Sequence, residues 1–436
     1  MQRCAWLLGL FALPAGCGRP AGAPDVLLVT LDTFRADHLG SAGYPRAVTP
    51  HLDALAEGGL RFTACRAPMS TTLPSHLSLF TGAHPLRHGV LANLSGDRVF
   101  ERDPSLATLP EAFADEGYAT AAFVSAFVLR PEAGLAGGFD RYDAPEGPQR
   151  AGRETVDRAL AWWGNQEGAP RFLWVHLFDP HLPHEAPAEW ATRFQGDGLA
   201  PGILAARGVP ARPELIAHLN GYDRELAHTD ALVGELLEAV GNEAVVLAVG
   251  DHGEGLWQHG WEAHGYLWDE QLRVPAVLRA PGVAPGSESA PCAVMDLAPR
   301  LLARVPALAG SPLTRSVAEQ AQATRSLLGE AHLALATAER AQLHALERAS
   351  WSQGPWTLIR RVPRSAPGTV EYDLFHLDED PGQERDRADA QPAVVRRLEA
   401  RLLRSAAQLL EGTETRTRAA VGEERAHLEA LGYGGD

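Results

Sequence analysis

The stretch DVLLVTL at residues 25–31 most constrains what this chain can become. It is apolar without alternation, so both of its faces must be buried, and it stops on a carboxylate, Asp32. A strand of that kind belongs inside a parallel sheet covered by helices on both sides. The pattern recurs. Residues 119–126, 172–177, 244–249 and 274–279 read as further strands. Helices fall between them. Thr49-Pro50 opens one that Gly58-Gly59 closes, Leu73-Pro74 opens another running to about Gly82, and 105–116, 153–166 and 221–240 read as helical. This βα alternation predicts an α/β fold with an open, mostly parallel sheet and helices on both faces.

The length of 436 residues allows one large α/β domain or two ordinary ones. After about residue 310 the composition turns to Ala, Gln, Glu and Arg. Residues 311–352 therefore read as a helical linker region, after a main domain at 25–310. Residues 353–436 read as a small C-terminal subdomain. Strands at 356–362 and 371–377 form an antiparallel sheet there, and 394–410 forms a helix. Residues 1–24 read as a targeting leader. Arg3 precedes a short apolar run, followed by Pro14-Ala15-Gly16-Cys17. The run is too short to span a bilayer, and Cys17 after two small residues resembles a lipoprotein acceptor. The expectation is an exported protein, periplasmic or anchored to a bacterial membrane through lipidated Cys17.

Charge and composition exclude several chemistries. The formal charge is −16, which argues against a nucleic-acid partner. The chain has no lysine, so all 39 basic residues are arginine. That rules out a phosphate-loop lysine, a Schiff-base lysine and a pyridoxal phosphate anchor. Cys65 and Cys292, the two cysteines beyond the leader, make no disulfide framework, and whether they pair stays open, as does the oligomeric state.

The chemistry-bearing residues sit at strand ends, where open α/β sheets bind ligands. Asp32 ends the first strand. Asp251-His252 follows the strand at 244–249. His176, Asp179 and His181 cluster at the end of the strand at 172–177. Oxygen and nitrogen donors of this kind suit a divalent cation.

The blocks VLLVTLDTFRADHLG, TPHLDALAEGGLRFT, TTLPSHLSLFTGAHPLRHGV, FLWVHLFDPHLPH, GDHGE and LWDEQLRVPAVLRAPG occur in that order, with YDLFHLDEDPGQERD near the end. Together they resemble the sulfatase family of the alkaline phosphatase superfamily. The resemblance implies an alkaline phosphatase-like mixed sheet and a metal-dependent ester hydrolase. The family's C/S-x-P-x-R motif aligns with Thr72-Leu73-Pro74-Ser75-His76. Threonine takes the nucleophile's place and His76 the arginine's. A secondary alcohol cannot become formylglycine, so no formylglycine is expected and Thr72 would act directly.

The resemblance further implies one divalent metal (calcium, zinc or manganese) on Asp32, Thr72, Asp251 and His252. Where typical sulfatases carry a second Asp, this chain has Thr33. His181 and His264 are expected to join Thr72 as catalytic residues, replacing the family's lysines around the ester. His76, His176 and Asp179 are weaker substrate-binding candidates, and His176 with Asp179 could complete a second metal site. Glu254 is expected to orient His252, while His184 and His259 are weaker candidates that read as solvated loop residues, and Arg35 stands either at the position of a common family arginine or in a surface ion pair. The implied substrate is a small-molecule, glycan or lipid ester of phosphate or sulfate. Two alternatives stand beside it: a phosphotransferase of the phosphoethanolamine-transferase kind, and a non-catalytic binding protein on a degenerate scaffold.

Overall fold

The computed structural model describes residues 23–93, 98–336, 348–363, 365–366, 368–413, 416–419 and 426. The leader with Cys17, apart from its last two residues, lies outside them.

The central sheet has eight strands: β1 (Val26–Leu31), β2 (Leu60–Phe62), β3 (Ala119–Val124), β4 (Arg141–Asp143), β5 (Arg171–Leu177), β6 (Val245–Gly250), β7 (Ala276–Arg279) and β8 (Gly286–Glu288). Their order is β8-β2-β7-β6-β1-β5-β3-β4. All neighbours are parallel except at β7, which runs antiparallel to both β2 and β6. The unalternating run at 25–31 is thus a central strand. Its side chains go alternately to two cores: Val26 and Leu28 to one face of the sheet, Leu27, Val29 and Leu31 to the other. Both faces are closed to water, which is why no polar alternation is visible in the sequence.

Helices α1 (Pro50–Glu57), α2 (Thr72–Thr81), α3 (Gly152–Gly164) and α4 (Pro213–Val240) cover the sheet. α2 packs into the first core, and α1, α3 and α4 into the second. Every residue of α2 is buried, and Gly82 closes it at φ +69°.

The region 311–352 departs from the expected helical linker. It holds helix α5 (Pro312–Leu328), then strand β9 (His332–Leu335) and strand β10 (Arg348–Gln353). These two strands join β11 (Trp356–Arg361) and β12 (Glu371–His376) in a four-stranded antiparallel sheet. Its apolar face, with Leu333, Trp351, Leu358 and Leu374, belongs to the same core as α2, and helix α6 (Pro392–Leu410) adds Val395, Leu398 and Leu402. The composition shift marked a change of layer, not a spacer. Cys65 and Cys292 face each other across a two-stranded parallel ladder, both buried. No described helix is long and apolar enough to cross a membrane.

Candidate active site

Strand register brings the acids together. Leu31 lies level with Leu177 on one side and Gly250 on the other. Two further backbone bonds extend the ladder, Asp32 N–H to Leu177 O at 3.0 Å and Asp251 N–H to Leu31 O at 3.1 Å. Asp32 and Asp251 therefore emerge side by side at the carboxyl edge, both buried.

The turn after Asp32 is strained. Thr33 sits at φ +48°, rare for a β-branched residue. That conformation lets its N–H donate to Asp251 Oδ1 at 3.2 Å, beside the His252 N–H at 2.7 Å. Tyr222, far away on α4, donates to Thr33 O at 2.7 Å and accepts the Arg35 N–H at 3.0 Å. Strain of this kind persists only where the surroundings over-determine it.

Thr72 begins α2, directly over these acids. Its hydroxyl donates to Asp32 Oδ2 at 3.3 Å and lies 3.4 Å from His252 Nε2. Ser75 ties the helix to the strand end by donating to Asp251 O at 2.6 Å. The Leu73 N–H is held by Asn93 Oδ1 at 2.8 Å, and Asn93 Nδ2 is buried with no acceptor. A helix N-terminus with an open amide donor beside it favours an anionic group.

The donor set fits a divalent cation. Asp32 Oδ1 and Asp251 Oδ2 are buried and have no hydrogen-bond partner. His252 Nδ1–H donates to Gly253 O at 3.0 Å, which leaves the Nε2 lone pair facing both acids. Metal-donor atoms of Asp32, Asp251 and His252 lie within 4.8 Å of one another. Burial, with the Asp32 charge added, pushes the Asp251 carboxyl well up, and burial pushes Asp32 up as well. Burial drives His252 well below its ordinary value. A bound cation would stabilise all three in their ligating forms.

The histidines divide by surroundings. The His264 ring lies 4.4 Å from that of His252, tilted by 40°, and 5.1 Å from that of His181, edge-on. Burial opposes its protonation, but the Glu254 carboxylate, 3.5 Å from Nδ1, outweighs it and raises its pKa. Glu254 thus serves His264, not His252 as the sequence suggested. His181 stacks on Phe178 at 4.3 Å, and burial lowers it to about 4. His76 lies beneath Thr72. Its Nδ1 is 2.8 Å from Thr72 O and its Nε2 2.9 Å from Thr30 Oγ1, so both nitrogens are spent on the protein and the ring holds the helix turn. His176 Nε2 is 3.3 Å from Asp32 Oδ2, while Nδ1 has no partner. A second set of mutually close donors, His76, His176 and Asp251, shares Asp251 with the first. Asp179 stands outside both sets, accepting the Gly152 N–H at 3.0 Å.

The solvated readings of His184 and His259 fail, and Arg35 combines an ion pair with burial. Arg35 is buried; its guanidinium pairs with Asp37 at 2.7 Å and also holds Glu254 O, Gly255 O and Gln258, pinning the loop that carries Glu254. Burial and the neighbouring His218 drive His184 to about 3. His259 lies 3.0 Å from Glu270 Oε1 and 2.9 Å from Gly382 O. Sequence reasoning missed Tyr222 and Asn93. Neither stands in a motif, and only the fold carries them to the turn and the helix start.

A sulfatase family model matches residues 24–307. The ulvan-active sulfatase of Formosa agariphila is 27% identical over 323 residues, covering 64% of this chain and 61% of that protein, less than two thirds of its length. Human arylsulfatase A is 27% identical over 399 residues, covering 73% and 70%. Among solved structures, a Bacteroides thetaiotaomicron protein from a glycosaminoglycan-metabolism locus superposes with a TM-score of 0.71 at 18% identity, covering 89% of this chain and 96% of that one. The phosphonate monoester hydrolase of Agrobacterium radiobacter gives 0.66 at 19%, covering 91% and 99%. Both likenesses are of the fold. The chain belongs to the sulfatase family, within the alkaline phosphatase superfamily.

Proposed function

We propose that this chain hydrolyses phosphate esters, with sulfate esters as poorer substrates, through the Thr72 hydroxyl. The observation that supports this best is the placement of Thr72. Its hydroxyl stands at a helix N-terminus, within 3.4 Å of Asp32 and His252. Asp32, Thr72, Asp251 and His252 would hold one divalent metal, which when bound lowers the pKa of a ligating hydroxyl and offsets charge on the transferring group.

The chain's own groups account for the rest. The Thr72 oxygen, its proton given up to solvent, forms a bond to phosphorus as the bond to the leaving oxygen breaks. Asn93 Nδ2 donates to a non-bridging oxygen, at the positive end of the α2 dipole. His264, raised by Glu254, supplies the positive donor that a lysine would otherwise provide. His264 also gives the proton that the leaving oxygen takes up, with the neutral His181 ring packed beside it. Water then hydrolyses the Thr72 ester. Threonine cannot form the aldehyde hydrate on which formylglycine chemistry depends, and this favours phosphorus over sulfur. The leader reading adds export and attachment through lipidated Cys17.

Metal-loaded protein is expected to turn over an aryl phosphate mono- or diester faster than an aryl sulfate. Thr72→Ala should lower kcat by about 10³-fold or more, on the scale of losing a nucleophile. Equal rates for both proteins would remove the covalent reading. Metal-bound protein inert towards all three esters would favour a binding protein on this scaffold.

A further inference from the structure

Two exposed indoles stand on the loop that carries Glu254 and His264. Among the described residues the exposed large apolar side chains are Leu199, Trp257, Trp261 and Leu403, and only the two tryptophans share a segment. The same loop holds strained backbone. Leu256, Trp257 and His259 have φ of +48°, +65° and +53°, a region that bulky side chains rarely adopt. The loop is nevertheless held firmly. Gly255 N–H donates to Ala263 O at 3.0 Å, Leu256 N–H to Glu262 O at 3.0 Å and Trp257 N–H to Trp261 O at 2.9 Å. A Cβ on Gly255 would fall 2.2 Å from Trp261 O, so glycine lets the two arms close. Arg35 grips the Glu254 and Gly255 carbonyls, and His259 is held by Glu270 and Gly382 O. Strain secured this way, on a loop that keeps apolar surface in water, points to a surface kept for a ligand.

Of the two, Trp261 is tied to the reacting groups. Its Nε1–H donates to His264 O at 3.1 Å, on the residue that protonates the leaving oxygen in the proposed reaction. The Tyr266 ring supports the indole, 5.0 Å away and tilted by 50°. The Tyr266 carbonyl in turn accepts from Ser70 Oγ at 2.7 Å, two residues before Thr72. Trp261 is thus fastened both to His264 and to the segment that leads into α2. It is still 41% exposed. With its one polar atom already bonded, what it offers to solvent is aromatic surface. Such surface gains most from another flat ring laid against it.

We propose that Trp261 is the platform on which the leaving group of the ester lies, and that it selects leaving groups that carry a flat ring. An aromatic ring and a pyranose ring share that chemistry. The proposal rests on the ester-hydrolase reading for its leaving-group role, but ring preference can be measured without turnover.

The test is calorimetric titration of the metal-loaded full chain with phenylphosphonate against butylphosphonate, and with glucose 6-phosphate against sorbitol 6-phosphate. Each pair shares its phosphoryl group, and only the first member has a ring. At least one ring ligand is expected to bind about tenfold more tightly than its open-chain partner. A larger preference in the first pair identifies an aromatic leaving group, and a larger one in the second a pyranose. Trp261→Ala should remove most of that preference and leave the open-chain affinity unchanged. Trp261→Phe keeps a ring but cannot donate to His264 O, and it should keep most of the preference. No difference within either pair for the unmodified protein overturns the proposal, whether or not aryl phosphates are hydrolysed. A Phe variant as impaired as the Ala variant also overturns it, because Trp261 would then serve only to hold His264. Ring preference in a protein that hydrolyses no ester supports the platform and overturns the ester-hydrolase reading alone.

Discussion

Single residues at this site work against their ordinary preferences, and each departure has a measurable consequence. Thr33 holds a left-handed backbone so that its amide can reach Asp251, and the Tyr222 hydroxyl secures the carbonyl of the same residue. Tyr222→Phe strands that buried carbonyl and the Arg35 amide together. A loss of about 1–3 kcal/mol in denaturant unfolding is expected, on the scale of unsatisfied buried polar groups. Activity should fall with it as Asp251 loses its second amide. Glu225 offers a pH test. Its pKa is about 8 in the folded chain against 4.5 when unfolded. Between those values the unfolded chain has released the proton and the folded chain still holds it. The stability that Glu225 contributes is complete below pH 4.5 and is lost as pH rises through about 8. Glu225→Gln should flatten the fall in unfolding free energy across that window, measured by denaturant titration at several pH values. A slope identical to that of the unmodified protein would mean Glu225 ionises normally.

Elements carry the next level of organisation. Helix α2 matters because its first residue, Thr72, must sit over the ends of β1 and β6, and its far end sets that position. Gly82 closes it with φ +69°, and a Cβ added there would come within 3.0 Å of both Ala321 Cβ and Val317 O on α5. Gly82→Ala therefore combines a conformational penalty with a clash. An expected loss of about 1–3 kcal/mol should appear as a lower Tm, with kcat reduced more than KM as Thr72 shifts from its acids. The start of α2 was legible from Leu73-Pro74, and the strands β1, β5 and β6 from their apolar runs, each within one residue of its observed start. Strands β9 and β10 were not legible. His332–Leu335 and Arg348–Gln353 are short and flank an Ala- and Glu-rich stretch, and they become strands because β11 offers β10 an edge and β10 then offers one to β9. Pairing partners distant in sequence override local composition.

At the scale of the whole molecule, the two unpartnered carboxylate oxygens at the sheet edge make the metal-free protein a strained one. Burial raises the pKa of both Asp32 and Asp251, so their folded-state stabilisation is lost as pH rises above the ordinary carboxyl range. A divalent cation at about 100 times its Kd should add about 2.7 kcal/mol, seen as a rise in Tm that grows with pH. Asp251→Asn should abolish most of that rise. A Tm indifferent to calcium, zinc and manganese would count against the site.

By itself, the sequence determined the layered α/β fold, the family, the strand-end position of Asp32, Asp251 and His252, and the helix start at Thr72. Such information is local: an apolar run buried on both faces, a proline in a first helical turn, a carboxylate where a strand stops. Only the tertiary structure decided the partners. It assigned Glu254 to His264, turned His76 inward beneath Thr72, buried Arg35, and brought Tyr222 across 189 positions to Thr33. It also brought Asp179 from one loop to Glu225 and His228 on α4 around one cavity. Burial and charge balance depend on what packs from elsewhere in the chain, and no local pattern records that.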